Sequence, residues 1–356
     1  MLPQVFGNLT DAKGKRDLTS AAILFATRSQ DAEVSAEARD FVVQTWSNLS
    51  DRLLREDYEF VKSIGAPGSN ELLKHGVEQE LGSVRDEMQE PTDRTAQRVA
   101  LCLDYGESLP AHALDDALLE SLDARRPSTL KTWFRIIEAN RARLEQDFPS
   151  RFAIRCLDTV ASIPENEERQ QLLLQAFVDI FGSLSPDERR SALRKYFSLM
   201  KDSEPNTRSA AADKLKDLRE ASSDTQDFKL ALANVIKYLR DEVGTGELLE
   251  YEAVFDALLT QGGILGEYQN RDLADIAKAL MSRTEGPLQE LGLRIVEQMP
   301  SVPNDDQAEV IHLLIGIASS SPSLKQRASD RLSQFSLDTV VDGAKRELEE
   351  WRENGA

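Results

Sequence analysis

The sequence predicts an all-α chain built as an array of antiparallel helical hairpins. Three observations carry this. First, one short pattern returns along the chain: a proline that opens a helix, then a basic residue, then a small residue at core spacing. It reads Pro91-Thr92-Asp93-Arg94-Thr95-Ala96, Pro149-Ser150-Arg151-Phe152-Ala153, Pro205-Asn206-Thr207-Arg208-Ser209-Ala210 and Pro322-Ser323-Leu324-Lys325-Gln326-Arg327-Ala328. Pro287-Leu288-Gln289-Glu290-Leu291-Gly292 is a looser copy. Self-similarity of this kind marks stacked supersecondary units. Second, strand signals are missing: no run of alternating β-branched residues stands out, and no Asn-Gly or Asp-Gly turn joins two such runs. Third, the chain is 40% hydrophobic but only 6% aromatic, with Leu and Ala dominant. That balance suits many thin helix–helix interfaces better than a sheet sandwich.

Start signals recur roughly every 15 to 20 residues, the rhythm of short helices joined by short turns. The first helices are expected at 18–28, 31–48 and 50–63, the second of them opened by Asp31-Ala32-Glu33. Ser69-Asn70-Glu71 supplies a cap and early acid for 70–82. Pro91 and Pro110 stand at the starts of 92–105 and 110–122, and helices follow at 128–146 and, from Pro149, at 149–163. Leu172, Leu173, Ala176, Phe177, Ile180 and Phe181 form a helical stripe inside 166–182. Ser185-Pro186-Asp187-Glu188 gives 186–200 a capping Ser, Pro in the first turn and acid against the helix dipole. The series continues at 205–220, 224–241, 247–260, 271–283 and 287–299. Asn304-Asp305-Asp306 opens 305–318, whose stripe is Ile311, Leu314, Ile315 and Ala318, and Ser321-Pro322 opens 322–335. The last helix, 337–352, is charged around Leu348 and Trp351 and reads as a solvated cap.

Pairing gives hairpins at 128–163, 185–219, 271–300 and 304–335. One hairpin cannot bury its apolar face alone, so neighbours stack and share a core. Ala and Gly at the contacts let helices approach closely. An Arg after the turn can reach an acid in the neighbouring unit, which predicts a structural ladder. Two stretches break the rhythm: Ser63 to Ser69, and Thr260 to Gln269 with Gly262, Gly263 and Gly266. The expected organisation is a main array at 1–262, with a sub-boundary near 63–69, and C-terminal hairpins with a capping helix at 263–356, continuous with the array.

The second helix of each unit resembles that of HEAT and armadillo repeats, which carry a turn acid, a Pro or small residue, a basic residue, then Ala and Leu at core spacing. Ser203-Glu204-Pro205-Asn206-Thr207-Arg208-Ser209-Ala210-Ala211-Ala212-Asp213-Lys214-Leu215 is the best copy, and Asp31-Ala32-Glu33-Val34-Ser35-Ala36-Glu37-Ala38-Arg39 a looser one. The resemblance covers most of the chain but is degenerate, with unevenly spaced prolines. It implies a right-handed α-solenoid, a HEAT/ARM-like superhelix, and a non-enzymatic scaffold or adaptor whose concave face grips a protein.

No local motif carries chemistry. The histidines, His75, His112 and His312, are far apart and form no His-x-x-x-His or His-Glu-x-x-His, and the two cysteines are unpaired in sequence, so no metal site is expected. Lys13-Gly14-Lys15-Arg16 resembles the end of a phosphate loop, but Leu9 stands where Gly is required and Arg16 where Ser or Thr is. Gly262-Gly263-Ile264-Leu265-Gly266 does not match a dinucleotide fingerprint. There is no Gly-x-Ser-x-Gly, and no catalytic residue or cofactor is expected. Cys102 and Cys156 sit in apolar stretches and read as buried thiols in a reducing compartment. No stretch approaches a membrane span and no signal peptide is apparent, so a cytoplasmic protein is expected.

The net charge of −19 disfavours nucleic acid and anionic membrane and favours a partner with a basic surface. One segment opposes it. Between Asp123 and Arg155, Arg125, Arg126, Lys131, Arg135, Arg141, Arg143, Arg151 and Arg155 face only Asp123, Glu138, Glu145 and Asp147. Trp133 and Phe134 lie between Lys131 and Arg135, and one ring is expected at the surface. Such a patch suits phosphate, an acidic peptide or a single strand stacked on an aromatic. The plainer reading pairs these cations with acids of neighbouring helices. A nucleic-acid-binding array using the 125–155 patch, or a regulatory arm of a separate NTPase or nuclease, are the alternatives to the scaffold.

Overall fold

The computed structural model describes residues 7, 8, 10, 12–49, 55–64, 67–222, 225–242, 248–261, 265–299 and 301–355. Every regular element among them is helical. The chain divides into two compact units, Met1–Phe148 and Pro149–Ala356. The break expected at 262/263 falls outside the described residues, as does part of the one at 63–69.

The first unit holds α1 (Ala12–Arg28), α2 (Ala32–Leu49), α3 (Arg55–Ile64), α4 (Pro67–Asp86), α5 (Asp93–Tyr105), α6 (Ala113–Glu120) and α7 (Pro127–Asn140). α1 with α2, and α4 with α5, form hairpins; α4 packs on both helices of the first hairpin and on α6, while α5 packs on α7. Asp31 opens α2 as expected: its Oδ1 accepts the N–H groups of Glu33 at 2.9 Å and Val34 at 3.2 Å. At the start of α5 the Thr92 N–H donates to Thr95 Oγ1 at 2.8 Å.

The second unit holds α8 (Phe148–Ser162), α9 (Glu167–Phe181), α10 (Pro186–Leu199), α11 (Pro205–Asp213), α12 (Leu215–Ala221) and α13 (Thr225–Glu242). It continues with α14 (Glu252–Leu259), α15 (Glu267–Met281), α16 (Gly286–Gln298), α17 (Gln307–Ser320), α18 (Lys325–Ser333) and α19 (Asp342–Gly355). Packing sorts them into two layers. α10, α13, α15, α17 and α19 stack in order; so do α9, α11, α14, α16 and α18. This is a solenoid, in which each hairpin buries its apolar face only against its neighbours.

One expectation is corrected here. The helix expected at 205–220 is two helices, α11 and α12, broken at Lys214 (φ −91°, ψ 0°). The buried Tyr196 hydroxyl donates to the Ala211 carbonyl, the acceptor that Leu215 would use in an unbroken helix. Burial lifts the Tyr196 phenol well above its ordinary range and so holds the donating proton in place. The two helices expected as a hairpin at 128–163 fall in different units, α7 in the first and α8 at the start of the second. α7 stacks on α5 in the first unit. α8 belongs with α9, whose Gln170 Nε2 donates to Val160 O at 3.2 Å. Pro149 signals a helix start without saying which helix of a hairpin it opens.

Close packing at glycine appears where expected. A Cβ on Gly292 of α16 would stand 2.9 Å from Ala277 O, Leu280 Cβ and Met281 Cγ of α15. Gly316 of α17 has nothing within 4 Å of that position. Alanine gains about 1 kcal/mol over glycine in a helix interior, against about 1–3 kcal/mol for overpacking. Gly316→Ala is therefore expected to raise the denaturation midpoint and Gly292→Ala to lower it. The opposite order in urea titrations would contradict the packing.

Cys102 and Cys156 are buried and unpaired. Burial, reinforced by the nearby Glu80, pushes the Cys102 thiol up to about 12, and burial alone pushes Cys156 higher still. At pH 8 the thiolate fraction of such a group is about one in ten thousand. Neither thiol is expected to react with a disulfide reagent until denaturant is added; rapid labelling of the native chain would refute this.

Candidate partner-binding surfaces

The ladder predicted from the repeat pattern is present. Arg208, fourth in the Pro205 copy, crosses to Glu250 at 3.0 Å. Arg327, from the Pro322 copy, reaches back to Glu290 at 3.0 Å and Glu297 at 2.6 Å. Between them Arg294 spans Glu252 at 2.7 Å and Asp256 at 3.1 Å. In the same layer Gln171 donates to Asp213 at 3.2 Å, and Lys214 to Gln175 at 2.7 Å and Asp217 at 3.2 Å. On the other layer Lys278 meets Asp306 at 2.7 Å, Asp275 at 3.0 Å and Glu309 at 3.3 Å. Burial works against that ammonium, but these acids outweigh it and hold it above the usual lysine range.

The rungs on α11, α12, α14, α16 and α18 make a polar strip across successive second helices. Its rungs join the acids Asp213, Asp217, Glu250, Glu252, Asp256, Glu290 and Glu297 to Arg208, Lys214, Arg294 and Arg327, and the same helices also carry Glu220 and Asp330 with Lys216, Arg219, Lys325 and Arg331. Apart from the buried Arg208, the rung side chains are partly exposed, 21% for Lys214 and 50% for Glu252 among them, so acids and cations of the strip both reach solvent.

The basic segment lies on α7 and its flanks. α7 buries Thr129, Leu130, Trp133, Ile136, Ile137 and Asn140, which leaves Lys131, Arg135 and Glu138 as an outer stripe at helical spacing. Trp133 is 0% exposed, and its Nε1 donates to Met88 O at 2.9 Å. This corrects the expectation of Trp133 as a binding residue: it is a core ring that fixes α7 to the turn after α4. Thr129 Oγ1 to Gln89 O, 3.2 Å, and Arg125 N to Gln89 Oε1, 3.0 Å, fix the same junction. Phe134 is the ring nearer the surface, half-buried.

Several cations of the segment take the plainer reading. Arg126 lies 3.6 Å from Glu90, Arg141 lies 3.8 Å from Glu138, and Arg143 pairs with Asp104. Arg135 and the Arg125 guanidinium have no ion-pair partner among the described residues. Arg151 and Arg155, in the second unit, are half-buried.

The fold also assembles what the sequence hides. His112 stands with Asp115 and Asp147, all three ligand atoms lying within 4.8 Å of one another. The one local signal was His112-x-x-Asp115, a single turn apart; Asp147 joins them only through tertiary packing. His75 and His312 have single polar neighbours, Gln79 at 3.1 Å and Glu347 at 2.7 Å. Among the described residues no helix is long and apolar enough to cross a membrane.

No protein-family model matches the chain, and no curated protein does. Solved structures with a similar trace include an engineered protein, 13% identical, matched over 94% of this chain and 99% of that chain with a TM-score of 0.36. A mutant of the karyopherin Kap121p is 13% identical over 98% of this chain and 44% of that one, with a TM-score of 0.32. Kap121p bound to the extreme C-terminus of the protein phosphatase Cdc14p is 12% identical, matched over 96% and 42%, with a TM-score of 0.30. The chain thus spans less than half of these karyopherins. Likeness at these scores carries no argument about family, partner or activity, which rest on the chain's own geometry.

Proposed function

We propose that this chain is a non-catalytic, HEAT-like helical scaffold of the cytosol that binds a protein with a basic surface along the polar face of its second helices. That face is the one the repeat resemblance makes concave. The observation that supports it is the row of partly exposed carboxylates from Asp213 to Glu297, which runs over consecutive repeats rather than clustering at one cleft. Complementary charge along such a strip raises the association rate and rejects acidic competitors.

Binding of nucleic acid by Lys131 and Arg135 has weaker support. Non-specific affinity needs many phosphate contacts, whereas Arg126, Arg141 and Arg143 already face carboxylates and Trp133 offers no ring.

The test is capture of partners from nuclease-treated extract of the native host with the chain and with its Asp213→Lys/Asp217→Lys variant. A stoichiometric protein, bound about tenfold more weakly by the variant, is the expected result. An NTPase or nuclease in that position would make the scaffold its accessory arm. Retention of every protein by the variant, or capture of nucleic acid alone that Lys131→Glu/Arg135→Glu abolishes, would overturn the reading.

A further inference from the structure

We propose that His112, Asp115 and Asp147 form a binding site for a divalent transition-metal cation, zinc being the best match to the donors. His112 is the N-cap of α6 and takes φ 63°, ψ 4°. It is the only non-glycine residue with positive φ among the described residues. Histidine is one of the few side chains enriched in that conformation. The turn places its ring between the first turn of α6, which carries Asp115, and the segment before α8, which carries Asp147.

The distances fit ligation better than hydrogen bonding. His112 Nδ1 is 3.9 Å from Asp115 Oδ2 and 3.8 Å from Asp147 Oδ1, too long for a hydrogen bond. Two atoms that bind one ion at about 2.1 Å stand roughly 3–4 Å apart. Nδ1 itself is shielded from water and has no hydrogen-bond partner. An imidazole nitrogen in that state, facing two carboxylates, is one cation short of satisfaction.

Burial is graded across the site. Asp115 is 3% exposed, while the His112 and Asp147 side chains remain open to solvent. The protein therefore supplies three ligands from one side and leaves the other to water, the pattern of an open site. His112 and Asp115 border a cleft of about 440 Å³ that also holds Glu107, Arg143 and Glu145. Arg143 is turned to Asp104, so its charge is engaged away from the ligands. The N-terminal dipole of α6 opposes a cation here, but two full carboxylate charges outweigh a terminal half-charge. One nitrogen and two oxygens, with no thiolate, favour zinc or manganese over magnesium and calcium, which prefer oxygen alone.

The experiment uses the full chain without a histidine tag, stripped with chelator and titrated with zinc chloride by calorimetry, with magnesium chloride alongside. One zinc per chain is expected, bound about tenfold or more weakly by His112→Asn and by Asp147→Asn. Asn tolerates the left-handed conformation, and Asp147 is exposed, so both variants keep the fold. Zinc is also expected to raise the melting temperature of the parent but not of Asp147→Asn, and His312→Asn to bind as the parent does. Absence of saturable zinc binding, an affinity in both ligand variants equal to that of the parent, or magnesium bound as tightly as zinc would each overturn the assignment.

Discussion

Trp133→Ala is expected to cost about 4 kcal/mol of stability, the range for deleting a fully buried large aromatic. The ring is 0% exposed, so truncation leaves a cavity inside the first unit rather than a surface notch. It also takes the Nε1 donor from the Met88 carbonyl, held at 2.9 Å. Trp133→Phe separates the contributions: it keeps most of the packing and loses the hydrogen bond, about 1 kcal/mol. Urea titrations followed by circular dichroism, at constant m-value, give both numbers. A loss under about 1 kcal/mol for the alanine variant would mean that the ring is not part of the core. It would also return Trp133 to the surface as a stacking platform.

That residue marks where sequence reading stops. Helix positions were legible because the signals are local: a Ser185-Pro186 start with acid in the first turn, a stripe from Leu173 to Phe181. The Arg ladder was legible only in outline: the repeat places Arg208 and Arg327 after their turns, but Arg208 reaches forward to Glu250 and Arg327 back to Glu290 and Glu297. Which side of α7 faces inward was not, because Trp133 and Phe134 are adjacent, and adjacent residues point about 100° apart on a helix. Only the tertiary neighbour, the turn at Met88 and Gln89, selects Trp133. The break at Lys214 was hidden for the same reason: Tyr196, which takes the Ala211 carbonyl, comes from the preceding helix. The cluster of His112, Asp115 and Asp147 needed two segments brought together, and a lone histidine in sequence does not announce that.

The polar face of the second helices has a double character that follows from its construction. Each rung ties one repeat to the next, yet each is partly exposed, so its net contribution to stability is small. Under the proposed function, such weak ties would let a basic partner's cations compete for the acids without unfolding the repeats. Arg327 shows the limit of that freedom: Glu297 and Glu290 both hold it, and the paired hydrogen bonds keep its guanidinium above the ordinary range even against burial. Partner contacts are therefore expected to favour Asp213, which is exposed, over Glu297, which is 27% exposed and which Arg327 holds bidentately.

Arg208 is the exception to the weak-rung rule, and Arg208→Ala is expected to cost about 3 kcal/mol. Its side chain is 2% exposed. Nη1 donates to the carbonyls of Asp202 at 2.7 Å and Ser203 at 2.9 Å, both in the turn before α11. Nη2 donates to Glu250 O at 3.2 Å and to its carboxylate at 3.0 Å, in the turn before α14. The guanidinium also lies 4.2 Å from the centre of the Tyr251 ring. One planar fork thus closes two successive turns of the array, which a lysine cannot do. Arg208→Lys is accordingly expected to recover less than half of the loss. The ion pair is the lesser part, because the Glu250 side chain is 53% exposed and its charge is screened. The carbonyls are the greater part, since truncation leaves them facing a cavity without donors. Glu250→Ala decides between the two. A cost under about 1 kcal/mol fits anchoring through carbonyls; a cost equal to that of Arg208→Ala would show that the charge pair was the anchor and that the turn-closing role assigned to Arg208 is wrong.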